Sequence, residues 1–210
     1  MVDLDYIRLN VAFKPPEEVI EKAINLSQEV SKNKEVFFIL DGIQFHPHIT
    51  IYSPKFPKSN LNKVLEIVEE IAKNTSRVEF QVKNIRVYKR FISVNFNYSL
   101  DVKSLHEEIV AKLNPLREGC IRKEYEEGSD YHMKFSSEQK ENIKKYGYPE
   151  SMNLYKPHLT IIRLKEESLA GEVVKSIKWD IPQFIVDKIA VYEMGEHGTC
   201  RALVKEFNLK

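Results

Sequence analysis

An α+β fold made by duplication, with two small mixed or antiparallel sheets lining a central cleft and helices outside, follows from three features of this sequence. Helical and strand patterns alternate, yet pairs of strands also follow one another directly, as in hairpins. Several strands carry one apolar and one polar face, which suits sheets covered on one side only. A seven-residue stretch occurs twice, as Phe45-His46-Pro47-His48-Ile49-Thr50-Ile51 and as Tyr155-Lys156-Pro157-His158-Leu159-Thr160-Ile161, 110 residues apart. Self-similarity at about the length of one lobe implies two related halves. The expected organisation is a single bilobal domain over residues 1–210.

The first element, Tyr6 to Phe13, sets Ile7, Leu9, Val11 and Phe13 against Tyr6, Arg8, Asn10 and Ala12, a strand with one buried face. Lys14-Pro15-Pro16-Glu17-Glu18 then opens a helix, because Pro is tolerated in a first turn and carboxylates favour the positive end of the dipole. Its apolar side is Val19, Ile20, Ala23, Ile24, Leu26 and Val30. Val36 to Leu40 is a short apolar strand, Asp41-Gly42 a turn, and the first repeated stretch follows. A second helix begins after Lys58-Ser59-Asn60, with Leu61, Val64, Leu65, Val68 and Ile71 at helical spacing. Val78 to Val87 and Phe91 to Tyr98 read as a hairpin turned at Tyr88-Lys89-Arg90. A helix from Asp101 to Leu113 is capped by Ser99 or Asp101.

Residues 117–151 break the rhythm. Lysines and arginines alternate there with acids, the composition of a solvated insertion, but Tyr131, Tyr146 and Tyr148 and the position just before the second repeat make it a candidate lid. Ser136 or Ser137 caps a short helix that Gly147 ends. Lys165 to Ile177 is expected as a helix, then Phe184 to Glu193 and Cys200 to Leu209 as strands.

Within each repeat Pro suits the first residue of a strand, and the residues after it alternate. His48 and Thr50 share one face, His158 and Thr160 another, with Ile49, Ile51, Leu159 and Ile161 behind them. If the polar faces line the cleft, His48 and His158 face each other across it. His197-Gly198-Thr199 also matches the short pattern, but Gly198 and the run from Glu193 to Thr199 read as a turn, so it is set aside.

Composition narrows the function. A formal net charge of +1 gives no basic excess for long duplex nucleic acid, although a pocket for one or two phosphates is compatible with it. Cys120 and Cys200 have neither metal-ligand spacing nor a disulfide framework. The acidic start, Met1 to Asp5, has no signal-peptide pattern, and no apolar run reaches membrane-spanning length. The expectation is a monomeric cytoplasmic protein without membrane partners.

The paired motifs resemble the two-histidine phosphoesterase superfamily, most closely its 2′-5′ RNA ligase-like and cyclic phosphodiesterase members. Ile7-Arg8-Leu9-Asn10-Val11-Ala12-Phe13 followed by Pro15-Pro16-Glu17-Glu18-Val19 is similar to that family's first strand and helix start, and residues 184–209 to its closing hairpin. The resemblance implies a catalytic set of His48, Thr50, His158 and Thr160. It also implies action without metal or cofactor on a nucleotide or short RNA bearing a 2′,3′-cyclic phosphate or 2′-5′ linkage.

The residue types suit that chemistry. Opening a cyclic phosphate needs a base for water and an acid for the departing ribose oxygen, and imidazole can serve as either. Threonine hydroxyls on the same face can donate to the non-bridging oxygens. For hydrolysis the expectation is His158 as base and His48 as acid. Further cleft candidates are Arg8, Asn10, Tyr52 and Asn95 on polar strand faces, with His46 and Lys156 at equivalent places before the two motif histidines. His46 and His48 could pair on a metal, but no third ligand is near in sequence. Arg163 is a candidate too, although strict alternation turns it away from His158. His106 and His132 are expected at the surface. The competing function is a nucleotide- or RNA-end-binding module of the same fold with little turnover.

Overall fold

The computed structural model describes residues 5–97, 99–130 and 132–210. Met1 to Leu4, Tyr98 at the end of the expected hairpin, and Tyr131 of the insertion lie outside the described residues. The strands are β1 (Tyr6–Lys14), β2 (Val36–Ile39), β3 (Ile49–Tyr52), β4 (Lys55–Pro57), β5 (Val78–Tyr88), β6 (Phe91–Phe96), β7 (His158–Leu164), β8 (Gln183–Val186), β9 (Lys188–Met194) and β10 (Cys200–Asn208). The helices are α1 (Glu17–Ser31), α2 (Leu61–Asn74), α3 (Leu100–Leu113), α4 (Ser137–Tyr146) and α5 (Ala170–Ser176), joined by short 3₁₀ turns.

The fold is α+β, with every strand pairing antiparallel. Two four-stranded groups, β10-β9-β1-β3 and β7-β6-β5-β8, join where β3 meets β7, so hydrogen bonding runs continuously from one to the other. Each group mixes both halves of the chain: β9 and β10 share a group with β1 and β3, while β5 and β6 share one with β7 and β8. The expected strand from Phe184 to Glu193 is divided, because the chain leaves one edge of the sheet at β8 and re-enters at β9, next to the opposite edge strand β10, with only Asp187 between them. The sheet therefore curls. Edge-to-face contacts of Phe80 with Phe13 and Phe96 (5.0 and 5.3 Å) and its stacking on Phe184 (5.7 Å) fill the curl from four strands. Burying each such ring contributes about 1.5–3 kcal/mol.

The helices cover the apolar face. Val19, Ala23, Leu26 and Val30 of α1 and Val64, Val68 and Ile71 of α2 join one core with Leu9, Val11, Ile49 and Leu159. Their starts follow local chemistry: Glu17 and Glu18 occupy the first turn of α1, and the Ser99 hydroxyl accepts from Val102 N–H at 3.1 Å to begin α3. The Ser136–Gln139 pair forms a capping box on α4, which Gly147 ends at φ 70°. The expected Lys165–Ile177 helix is shorter, since 3₁₀ turns over Glu167–Leu169 precede α5.

His106 is a correction. It sits on α3 between Leu105 and Ile109 and is fully buried. Its Nδ1–H donates to the Ile51 carbonyl (2.7 Å), and its Nε2 accepts the Met152 N–H (2.7 Å). Tyr155 stacks on the ring at 3.9 Å and donates to the Thr50 carbonyl at 3.0 Å. One neutral imidazole thus joins β3 to the segment that leads into β7.

Candidate active site

The two repeated stretches meet at their centres. Ile49 pairs with Leu159, and these are equivalent positions of the two copies. Continuing that antiparallel register sets His48 opposite Thr160 and Thr50 opposite His158, all on one face. The two histidines are diagonal neighbours, a relation that spaces residues about 7–8 Å apart and their Cβ atoms somewhat less. They stand side by side on the sheet floor rather than on opposite walls, because β3 and β7 are paired strands of one sheet. All four side chains line one cavity of about 670 Å³.

Each copy then carries the same irregularity. On β3, Thr50 pairs with Ala12 and Tyr52 with Val11, so Ile51 is an extra residue; on β7, Thr160 pairs with Ser93 and Ile162 with Ile92, so Ile161 is extra. A bulge of this kind reverses the alternation beyond it. Tyr52, expected on the cleft face, is fully buried in the core and donates to the Tyr146 carbonyl at 2.5 Å. Arg163, expected on the far face, lines the cavity. Ser53 lines it as well, and its place in the first copy is that of Arg163 in the second.

The imidazoles are held alike. His48 Nδ1 lies 2.8 Å from the His46 carbonyl, and His158 Nδ1 2.8 Å from the Lys156 carbonyl. A carbonyl only accepts, so Nδ1 carries the hydrogen and Nε2 is left for proton exchange. Burial drives the His48 pKa down to about 4; the His46 carbonyl opposes this, and the nearby His158 and His46 rings reinforce it. His48 is therefore neutral at pH 7.

Asn10 is buried beneath the site. Its Nδ2 donates to Thr50 Oγ1 (2.9 Å) and approaches Cys200 Sγ (3.4 Å). With its oxygen accepting from Asn10, Thr50 has its own hydroxyl hydrogen free to donate elsewhere. Beside the second copy, Ser93 is opposite Thr160 and Asn95 opposite His158; both line the cavity, and Asn95 is held by a 3.0 Å bond to Asn84.

The remaining candidates divide. Lys156 lines the cavity. His46 meets the Tyr192 ring in a tilted contact at 5.2 Å, beside the site. Arg8 is not a lining residue and is engaged 3.1 Å from Glu124. Among the described residues, no three His, Cys, Asp or Glu side chains gather as they would around a metal.

The insertion forms a wall of the cavity through Arg122, Tyr125, Phe135, Gln139, Tyr148 and Glu150. Buried Arg122 donates to the Ser53 carbonyl and hydroxyl and to Tyr125 Oη, tying the segment to the end of β3. Buried Arg117 donates to the Cys120 and Lys145 carbonyls. These inward arginines are what a reading of the segment as solvated surface misses. Ser53 and Ser93 were missed too; the 110-residue offset from Arg163 was a signal for Ser53.

Escherichia coli LigT in complex with 3′-AMP superposes with a TM-score of 0.59 at 13% identity, over 98% of this chain and 99% of that one. TT0787 of Thermus thermophilus superposes at 0.58 and 16% identity, over 97% and 98%. These identities speak for a shared fold. No curated protein matches the chain in sequence. The family model described as the 2′-5′ RNA ligase superfamily matches residues 42–198. That span covers well over half of the sequence and contains both repeated motifs, and the chain belongs to the 2′-5′ RNA ligase superfamily.

Proposed function

We propose that this protein is a metal-independent phosphodiesterase that cleaves 2′,3′-cyclic phosphate or 2′-5′ linkages of nucleotides or RNA ends by two-histidine acid–base catalysis. The observation that carries the reading is the Ile49–Leu159 register, which collects two histidines and two threonines on one face. A phosphodiester between the imidazoles has one Nε2 on either side, the requirement of in-line displacement.

In hydrolysis, His48 Nε2 takes a proton from water as its oxygen bonds to phosphorus. The bond to the ribose oxygen breaks, and that oxygen receives the proton from His158 Nε2. The buried, neutral His48 suits the base and the more open His158 the acid, the reverse of the assignment expected from sequence. Thr50, its oxygen already occupied by Asn10, donates to a non-bridging oxygen, and Thr160 does so from the other strand. Arg163 and Lys156 hold further phosphate charge. Around them Arg86, Lys89 and Lys134 alternate with Tyr88, Phe91 and Phe135, a basic and aromatic lining that favours an RNA end over a lone cyclic mononucleotide.

The test is a panel of 2′,3′-cyclic nucleotides, cyclic-phosphate-ended dinucleotides and 2′-5′-linked dinucleotides incubated with excess chelator, products identified by mass. Opening of the cyclic or 2′-5′ bond in chelator is expected. Binding without turnover across the panel would contradict the enzyme reading in favour of a binding module.

A further inference from the structure

The turn set aside in sequence lies at the rim of the cleft. Gly198 lines the cavity, and His197 Nδ1 lies 2.9 Å from Arg163 Nη1. A guanidinium nitrogen only donates, so Nδ1 is the acceptor and the imidazole hydrogen sits on Nε2, toward Glu196 Oε2 at 3.7 Å. The Arg163 guanidinium lies 4.7 Å from the ring centroids of both Phe37 of β2 and Phe91 of β6, and His197 meets Phe37 in a tilted contact at 4.3 Å. Three elements therefore fix one arginine that the Ile161 bulge has already turned inward.

The backbone supports a specific role. His197 adopts φ 61°, a left-handed conformation uncommon for a residue with a Cβ. The turn is closed by Gly195 N–H on the Thr199 carbonyl (2.9 Å) and the Thr199 hydroxyl on the Glu196 carbonyl (2.8 Å). That closure holds the imidazole over Phe37 and against Arg163.

We propose that His197 is a positioning residue that holds Arg163 in its cleft-facing rotamer, so that the guanidinium meets a phosphate of the substrate already ordered. This rests on the substrate contact proposed above for Arg163. A mobile arginine side chain loses rotamer freedom on binding, and fixing it beforehand tightens binding without touching the proton transfers. The groups facing His197 are Arg163 from β7, Phe37 from β2 and Glu196 on its own turn. Burial, then the Arg163 charge, lower its pKa below the ordinary histidine value. Once protonated, His197 loses its acceptor and repels Arg163, so the device releases at acid pH.

The experiment is calorimetric titration with a dinucleotide ending in a 2′-phosphate, alongside kcat on its cyclic-phosphate form. His197→Gly suits the left-handed backbone and deletes the acceptor; His197→Gln keeps an acceptor oxygen. Loss of one hydrogen bond to a charged group predicts about a 10-fold rise in Kd for His197→Gly with kcat nearly unchanged, and recovery in His197→Gln. In an Arg163→Ala background, His197→Gly should add almost nothing. The acid-side rise in the wild-type Kd should be weaker in His197→Gln. A full His197→Gly effect without Arg163, or a fall in kcat with Kd unchanged, would overturn the positioning role alone. An unchanged Kd in Arg163→Ala would overturn the Arg163 contact and this inference together, leaving the two-histidine chemistry standing. No binding by the wild-type protein would overturn the nucleotide reading as well.

Discussion

The two motif copies share a path and differ in their surroundings. Each runs from a proline into a strand, anchors a histidine Nδ1 on the carbonyl two residues back, and bulges at the isoleucine after its threonine. In the first copy the histidine lies 6.4 Å from the Tyr192 ring and is held neutral by burial, the threonine is fastened by Asn10, and the cavity residue beyond the bulge is Ser53, tied to the insertion by Arg122. In the second, the histidine is more open, its neighbour Lys156 is at the surface, and the residue beyond the bulge is Arg163, gripped by His197. Equal backbones give two imidazoles one geometry; unequal packing lowers the His48 pKa by burial. In the proposed mechanism that difference makes His48 the base.

The largest expected effects come from removing either imidazole. His48→Ala and His158→Ala should each lower the rate on a cyclic-phosphate-ended dinucleotide by about 10²–10⁴-fold. The double variant should fall well short of the product of the singles, because both groups serve one displacement. Initial rates of the three variants on one substrate decide this, and independent multiplication would mean the two histidines act in separate steps.

Next come the hydroxyls. Thr50→Val and Thr160→Val keep the strand's shape and delete a donor to developing charge, a loss of about 10²-fold in kcat. Here the copies should part: Asn10→Ala should lower kcat severalfold in the wild-type protein and add little to Thr50→Val, while its effect persists undiminished in Thr160→Val. Equal behaviour in both backgrounds would remove Asn10 from the first copy's machinery.

Smaller still is a stability effect that links the copies. His106 is neutral in the fold, its pKa depressed by burial to about 4 from 6.5. Its contribution is therefore present above about pH 6.5 and lost as pH falls toward 4, at most about 3 kcal/mol. Denaturant unfolding at pH 7 and 4.5 should show this, and His106→Leu should be less stable at pH 7 but lose less on acidification. The smallest change is Tyr52→Phe, expected to leave turnover unchanged and cost about 1 kcal/mol of stability by the same measurement.

The quartet was legible because a seven-residue match at a fixed offset outweighs any single short pattern. What lay beyond Thr50 and Thr160 was not, since alternation is read as unbroken and a bulge leaves no residue-type signature; Tyr52 and Arg163 were misplaced for that one reason. His106 could have been found, for it shares the apolar side of α3 with Val102, Leu105 and Ile109. The division at Asp187 follows from the sheet's curl, a property of the whole chain that a local pattern does not carry. The mixed charges of 117–151 concealed that Arg117 and Arg122 turn inward, because pairing with backbone carbonyls leaves no mark in composition.

The most direct test of the asymmetric pair is the pH dependence of kcat on a saturating cyclic-phosphate-ended dinucleotide in excess chelator. A base must be unprotonated, so the rate should fall as pH drops through the value for His48, giving a bell whose acid limb lies toward 4, well below the ordinary histidine value of 6.5. That limb should vanish from the residual activity of His48→Ala. Activity that disappears in chelator and returns with zinc or manganese, or an acid limb that survives His48→Ala unchanged, would contradict the account.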